Sequence, residues 1–414
     1  MRHELRIAIL AFALLAILLP LAVRLADRTN VGTTNGLWKA PSVHDWETQG
    51  NGYIDTGAYL YFPVMGRLVR LSPDGWWKYG AESPIVTFRE MAAWNAVFSA
   101  LATAIVAALI FRLSGSPPAA LLTAFFHASA AFIVVNTLNS EDIMPGYAMF
   151  AAGSYSLVRF AAGGGWAWIA ASSSAYALST LLHWTLTPAA VAGAAVFYLW
   201  DLAGDWRRRW WIPVTAGVAY LAAVYLALRI VLPHAFIRLI DVLYPSKASG
   251  SGWVGFLPEK IRLLFAAMPC YFTGGYNIPS VERAWECGPC RVSMLTGYAW
   301  FALAVAGLIH LIRRGGIHRR LAVWSLTVFG AAQAMNLYAQ PQDPQMQIQP
   351  MFAGVVGFFG VLDWLSRLPS GRARRLGPAA LALAAGGNLA WTANEIVRLQ
   401  PTDTESIHAS AEFQ

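Results

Sequence analysis

Long apolar runs alternate along this chain with short polar or Pro/Gly-containing breaks, and eleven of the runs approach the roughly 20 residues that a helix needs to cross a bilayer core. They fall near residues 7–23, 93–111, 119–136, 143–158, 166–183, 187–203, 212–231, 295–312, 321–338, 350–366 and 378–394. Backbone groups in lipid have no water to bond, so such runs must satisfy their N–H and C=O groups internally, as helices. The pattern predicts an all-α integral membrane protein of about 11 transmembrane helices. Residues 1–394 read as a single transmembrane domain that includes outer loops at 24–92 and 232–294, and residues 395–414 as a short non-cytoplasmic tail. In the first outer loop, Tyr59, Phe62, Val64, Met65, Leu68 and Leu71 are interspersed with Arg67 and Arg70, the spacing of a helix lying in the membrane interface. Trp76, Trp77 and Tyr79 add the aromatic belt expected at that depth.

Charge orients the pattern. With the N terminus inside, the inner segments hold Arg2, Arg6, Arg112, Arg159, Arg207, Arg208, Arg209, Arg313, Arg314, Arg319, Arg320, Arg367, Arg372, Arg374 and Arg375, which is 15 of the 30 basic residues. The net charge of +8 is thus a topology signal, and no basic stripe suggests a nucleic-acid partner. Composition excludes a water-soluble fold, with 57% hydrophobic and 13% charged residues and a mean hydropathy of +0.47. The first run follows Arg2 and Arg6 as in a signal peptide, yet it is long, lacks a small-x-small cleavage site and ends in Arg24, which favours an uncleaved helix. The expected location is a bacterial inner membrane, with the N terminus cytoplasmic and the chemistry periplasmic.

Polar residues gather on that outer side. The first outer loop carries His44, Asp45, Glu47 and Gln49, then Asn51 and Asp55. After the third span come Glu141 and Asp142, adjacent carboxylates that need water, proton sharing or a divalent cation such as Mg or Mn to be tolerated beside a membrane. Alternatively they sit in a helix N-terminus capped by Asn139 or Ser140, where the dipole favours them. His183, at the outer end of the fifth span, is either a ligand contact or a satisfied interfacial histidine. The segment Gln340 to Pro350 presents Gln342, Asp343, Gln345, Gln347 and Gln349, whose amides suit sugar hydroxyls and headgroups, or form a polar turn held by prolines. The second outer loop offers Lys247, Lys260, Arg262, Arg283 and Arg291 to a phosphate or to anionic lipid. Its three cysteines, Cys270, Cys287 and Cys290, include a Cys-Gly-Pro-Cys sequence, but no strand-helix-strand pattern surrounds it, and one structural disulfide among the three is expected in an oxidising compartment.

An inner N terminus, a long acidic first outer loop, an acidic pair after the third helix and a large late outer loop together resemble the GT-C superfamily of membrane glycosyltransferases. Those enzymes move a sugar from a polyprenyl-phosphate carrier to an acceptor at the outer face. Asp45-Trp-Glu47-Thr-Gln49 is similar to the Asp-aromatic-Glu-Ala-Gln stretch of the dolichyl-phosphate-glucose-dependent glucosyltransferases, although the Arg-His-Trp that continues their motif is absent. The resemblance implies Asp45 as catalytic base, with Asp55 as second candidate. It implies Glu141 and Asp142 for acceptor or metal and the late basic loop for the lipid phosphate; on side-chain chemistry Glu47 joins the first group, and His183, Lys260, Arg262, Gln342, Asp343 and Gln347 suit a lipid-linked sugar donor. The acceptor is left open among lipid, glycan and protein. Two other functions remain open on the residues alone: a transporter or flippase of lipid-linked saccharides, and a glycan polymerase or ligase of different fold using Arg and His. Helix centres nearly free of charge, with acids crowded at outer ends, weigh against an alternating transport pathway.

Overall fold

The structure, a computed structural model, describes residues 2–16, 34–54, 58–72, 84–138, 143–233, 258–268, 288–338 and 348–399. Among the described residues every regular element is helical. In chain order they are α1 (Arg2–Ala16), α2 (Thr34–Thr48), α3 (Tyr61–Arg70), α4 (Pro84–Ser114), α5 (Pro117–Ser129), α6 (Ala131–Leu138), α7 (Ile143–Ala161) and α8 (Trp166–Leu182). A 3-10 turn, Trp184–Leu186, leads into α9 (Thr187–Gly204), α10 (Trp206–Arg209) and α11 (Trp211–Val231). The last five are α12 (Pro258–Ala267), α13 (Gly288–Arg314), α14 (Gly316–Tyr338), α15 (Ile348–Ser366) and α16 (Gly371–Leu399).

Ten of the predicted spans lie within described segments of helix, and the first, 7–23, is described only as far as Ala16. Three segments are long and apolar enough to cross a membrane outright, Glu90–Ser114, Trp211–Val231 and Met294–Arg314, with Phe352–Ser366 as a shorter apolar helix. The count of eleven therefore stays an expectation from the sequence. On α11, Val214, Val218, Leu221 and Tyr225 recur at helical spacing and are all exposed, an apolar face suited to lipid.

Local chemistry explains where helices stop. Gly115 adopts φ +65 after α4, a left-handed residue that ends the helix without a Cβ penalty. Ser116 then caps α5, accepting a hydrogen bond from the Ala119 N–H at 3.4 Å, with Pro at the first helical position. One expectation needs correction. The span at 119–136 is two helices, because Ala130 is extended (φ −66, ψ 135) and the Ser129 hydroxyl folds back on the Phe126 carbonyl at 3.0 Å. Helices α4 and α13 begin at Pro84 and Gly288, ahead of their apolar stretches at Glu90–Ser114 and Met294–Arg314. The first loop also holds α2, across Pro41.

The main core joins α4, α5, α7, α8, α9, α14 and α15 around Tyr147, Phe150, Phe197, Trp324, Phe352 and Phe358, all essentially inaccessible. Phe126 and Phe358 stack with ring centroids 4.1 Å apart, and Trp324 meets Phe352 edge-on at 5.4 Å. Where α13 and α15 cross, Gly307, Gly357 and Gly360 leave no room for side chains, since a Cβ on any of them would run into the facing backbone.

One end of the bundle is laced by ion pairs. Glu4 of α1 accepts from Arg159 at 2.6 Å, Tyr155 at 2.7 Å and Arg112 at 3.5 Å, joining α1 to the ends of α4 and α7. Asp201 is held by Arg320 at 2.6 Å and Arg209 at 2.7 Å, while Asp363 meets Arg314 at 2.7 Å, His310 at 2.9 Å and Arg367 at 3.0 Å. All three clusters use helix ends that the basic-residue count places together on the inner side.

Candidate active site

At the opposite end, α2 and α3 pack on each other and on the start of α4 through Ala40, Val43, Tyr61, Phe62, Met65 and Met91. Trp46 is the anchor. Its indole N–H donates to the Tyr53 carbonyl at 3.0 Å, and a Cβ on Gly66 would come within 2.6 Å of the Trp46 side chain, so only glycine lets α3 approach this closely. Gly52 plays the same part on the following segment, where a Cβ would lie 3.0 Å from Trp46 and 3.2 Å from Asp45. Holding Trp46 fixes the rotation of α2 and with it the direction of its neighbour.

That neighbour is Asp45. Its carboxylate is half-buried, accepts a long hydrogen bond from the Gln49 amide at 3.4 Å, and among the described residues stands in no ion pair. Glu47 instead pairs with the His44 ring at 3.1 Å. Of the two, Glu47 thus has a histidine partner on its own helix and Asp45 an amide one.

The Leu60 N–H donates to the Leu181 carbonyl at 3.0 Å, which ties the first outer segment to the last turn of α8. His183 follows directly. It is 5% exposed, and its Nδ1 lies 2.6 Å from the Thr185 hydroxyl. A Cβ on Gly146 would press on Leu186 at 2.8 Å and His183 at 3.2 Å, so α7 closes over this imidazole. Lys260 is buried as well, its ammonium donating at 2.9 Å to the carbonyl of Tyr338, the last residue of α14. Burial pushes this amine below the ordinary lysine value, and the charge satisfies an orphan helix-end carbonyl just before the Gln-rich segment. Arg262, about half a turn away on α12, is exposed.

Asp55, Glu141, Asp142, Gln342, Asp343, Gln347, Cys270 and Cys287 lie outside the described residues, and Cys290 is placed only as part of the first turn of α13. Among the described residues no group of three His, Cys, Asp or Glu is gathered as metal ligands require.

A buried polar chain escaped the sequence reading. The Thr103 hydroxyl donates to the Ser99 carbonyl at 2.9 Å, which leaves its oxygen to accept from His127 Nδ1 at 2.8 Å. His127 Nε2 must then accept from the Tyr147 hydroxyl at 2.9 Å, so the network itself assigns a neutral Nδ1–H tautomer. Four groups on α4, α5 and α7 are satisfied with no net charge in the apolar core. The signal was present in α4, where Asn95, Ser99 and Thr103 recur every fourth position within an apolar run.

No protein-family description matches the chain, and no curated protein matches its sequence. Solved structures do match its shape. The crystal structure of ArnT from Cupriavidus metallidurans bound to undecaprenyl phosphate superposes with a TM-score of 0.59 at 12% identity, covering 94% of this chain and 75% of that one. The apo structure of the same protein gives a TM-score of 0.60 at 12% identity, over 94% and 76%. ArnT is a GT-C glycosyltransferase, and at this identity the likeness is one of fold. The chain is a helical integral membrane protein whose fold is similar to that of ArnT.

Proposed function

We propose that this protein is a membrane glycosyltransferase that takes a sugar from a polyprenyl-phosphate donor and passes it to an acceptor on the periplasmic face of a bacterial inner membrane. The observation that carries the proposal is the GT-C fold over 94% of the chain, with Asp45 half-buried and unpaired by cations among the described residues on the helix pair that follows α1. That its structural neighbour holds undecaprenyl phosphate supports the donor class. The acceptor hydroxyl oxygen bonds to the anomeric carbon, the carrier phosphate leaves with the electron pair of the broken C–O bond, and Asp45 takes the hydroxyl proton. Asp55 is the second candidate for that role. Arg262 and Lys260 offset charge on the departing phosphate, with His183, Gln342, Asp343 and Gln347 around the donor. Glu141 and Asp142 are assigned to the acceptor or to a divalent cation, Mg or Mn. Eleven crossings with a cytoplasmic N terminus complete the proposed topology.

The test is transfer of radiolabelled sugar from a panel of polyprenyl-phosphate sugars to cell-envelope acceptors by the purified protein and its Asp45→Asn variant. Losing a general base costs about 10²- to 10⁴-fold in rate, so the variant should lose transfer on that scale while retaining the wild-type melting temperature. A variant as fast as wild type sinks Asp45 as base. A wild type that consumes no donor yet moves lipid-linked sugars across liposome membranes sinks the enzyme assignment itself.

A further inference from the structure

Helix α2 ends by turning back on itself. Gly50, at φ +70, takes the left-handed conformation that ends a helix, and the chain reverses so that Gly52 lies against the last turn of α2, where a Cβ would stand 3.2 Å from the Asp45 side chain. Tyr53 follows one peptide later, its Cα about 3.8 Å further along. Two contacts fix it. Its carbonyl accepts the Trp46 indole N–H at 3.0 Å, and its ring meets Phe62 of α3 edge-on, with centroids 5.6 Å apart at 78°. So held, the Tyr53 side chain is still 47% exposed, in a segment where Gln49 and Asn51 are exposed as well. An aromatic ring fixed in this way and left this open is preorganised to receive a second group that is partly apolar.

The surrounding chemistry narrows what that group is. From Asp45 to Tyr53 the chain presents a carboxylate, the amides of Gln49 and Asn51, and the tyrosine ring. A pyranose matches both kinds of surface: hydroxyls around its edge give and accept hydrogen bonds, and C–H groups on its faces shed water against an aromatic ring. The phospholipid headgroups of a bilayer do not match. From His44 to Ile54 there is no lysine or arginine, while Asp45 and Glu47 repel a phosphate.

Direction decides which substrate carries this sugar. In a single displacement the acceptor oxygen enters on the face of the anomeric carbon opposite the departing phosphate, so the base that takes its proton sits on the acceptor's side. Tyr53, next to Asp45, lies on that side too. The cations assigned to the leaving phosphate, Lys260 and Arg262, belong to α12, which is bonded to α14 through Tyr338 and to α13 through Tyr298.

We propose that Tyr53 is the stacking platform for a sugar residue of the acceptor, which makes the acceptor a saccharide. The inference rests on the glycosyltransferase reading with Asp45 as base. A hydroxyl oxygen of the acceptor sugar bonds to the anomeric carbon of the donor sugar, polyprenyl phosphate leaves with the electron pair of the broken C–O bond, and the hydroxyl proton passes to Asp45.

The full-length protein in nanodiscs would be given labelled polyprenyl-phosphate sugar and, in separate reactions, the saccharide, lipid and protein fractions of a cell envelope. Mild acid destroys unreacted donor. Deacylation and protease digestion of the products then show whether the labelled sugar is joined to another sugar, to a non-sugar headgroup or to an amino acid. The expected product is a sugar–sugar linkage. Tyr53→Leu, which keeps an apolar side chain against Phe62, should raise the KM for the saccharide fraction about tenfold or more while the donor KM and the melting temperature hold, and Tyr53→Trp should recover most of the loss. A tyrosine serving only the interfacial aromatic belt would leave that KM unmoved when replaced by leucine. Tyr53→Leu at the wild-type KM therefore overturns the platform, and label joined only to a headgroup or an amino acid overturns the saccharide acceptor, both leaving the glycosyltransferase standing. No transfer to any fraction overturns the glycosyltransferase reading, and this inference with it.

Discussion

Glu4 shows how a single carboxylate can hold three helices. It is 5% exposed, so burial alone pushes its carboxyl up, but the Tyr155 hydroxyl and the guanidiniums of Arg159 and Arg112 more than offset this and hold it below the usual 4.5. A carboxylate whose folded pKa is depressed contributes stability that is present above its unfolded value and lost as pH falls through the folded one. In detergent, the melting temperature of the wild type should therefore drop more steeply below about pH 4.5 than that of Glu4→Gln. Parallel slopes would mean that Glu4 is not the titrating group. At neutral pH, Glu4→Ala leaves Arg159 partly buried without its partner and should cost about 3–5 kcal/mol, read by denaturation in mild detergent. Asp45 presents the reverse case: a carboxylate with one long hydrogen bond contributes little to stability, and this is why Asp45→Asn can test chemistry separately from folding.

At the scale of elements, the glycine contacts of α13 and α15 set the tightest tolerance. Gly307→Ala should destabilise the protein by about 1–3 kcal/mol or more, because the added methyl meets backbone rather than a movable side chain. Gly217→Ala on lipid-facing α11, where a Cβ meets nothing, should be neutral or slightly stabilising in the same melting assay. The apolar helices were legible in the sequence because lipid imposes a length and an apolarity that few other environments demand. Helix α3 was legible too, its amphipathic spacing over Tyr59 to Leu71 matching a helix at Tyr61–Arg70. What the sequence hid has long-range causes. Ser129 and Ala130 are unremarkable inside a helix, and the carbonyl freed by their break is taken up by Asn388, 259 residues away. Helix α2 was hidden by Gly36 and Pro41, and it is stable here because Val43 and Trp46 bury against α3. At the site, Asp45 and Glu47 could be picked out together from sequence, but only geometry separates the carboxylate paired with His44 from the one that is not.

For the whole molecule, the proposed orientation makes a direct prediction. In a cysteine-free background, Arg67→Cys, at an exposed position of α3, should react with a membrane-impermeant maleimide added to intact spheroplasts, whereas Arg372→Cys at the start of α16 should react only after lysis. The opposite pattern would invert the topology and move Asp45 to the cytoplasm. The two ends of the bundle also differ in kind: one is stitched by Glu4, Asp201 and Asp363 to their arginines, while the other carries half-buried Asp45 and the helix-capping Lys260. A consequence follows for where this face of the bundle is stiff. Because α13 touches α15 backbone to backbone, side-chain rotation cannot widen their contact. Helix α16 rests instead on α5, α6 and α15 through side chains, with the Asn388 hydrogen bond as a tether to Ser129. One neighbour of α15 is thus clamped like a rivet seam, and the other is only laced to its bed.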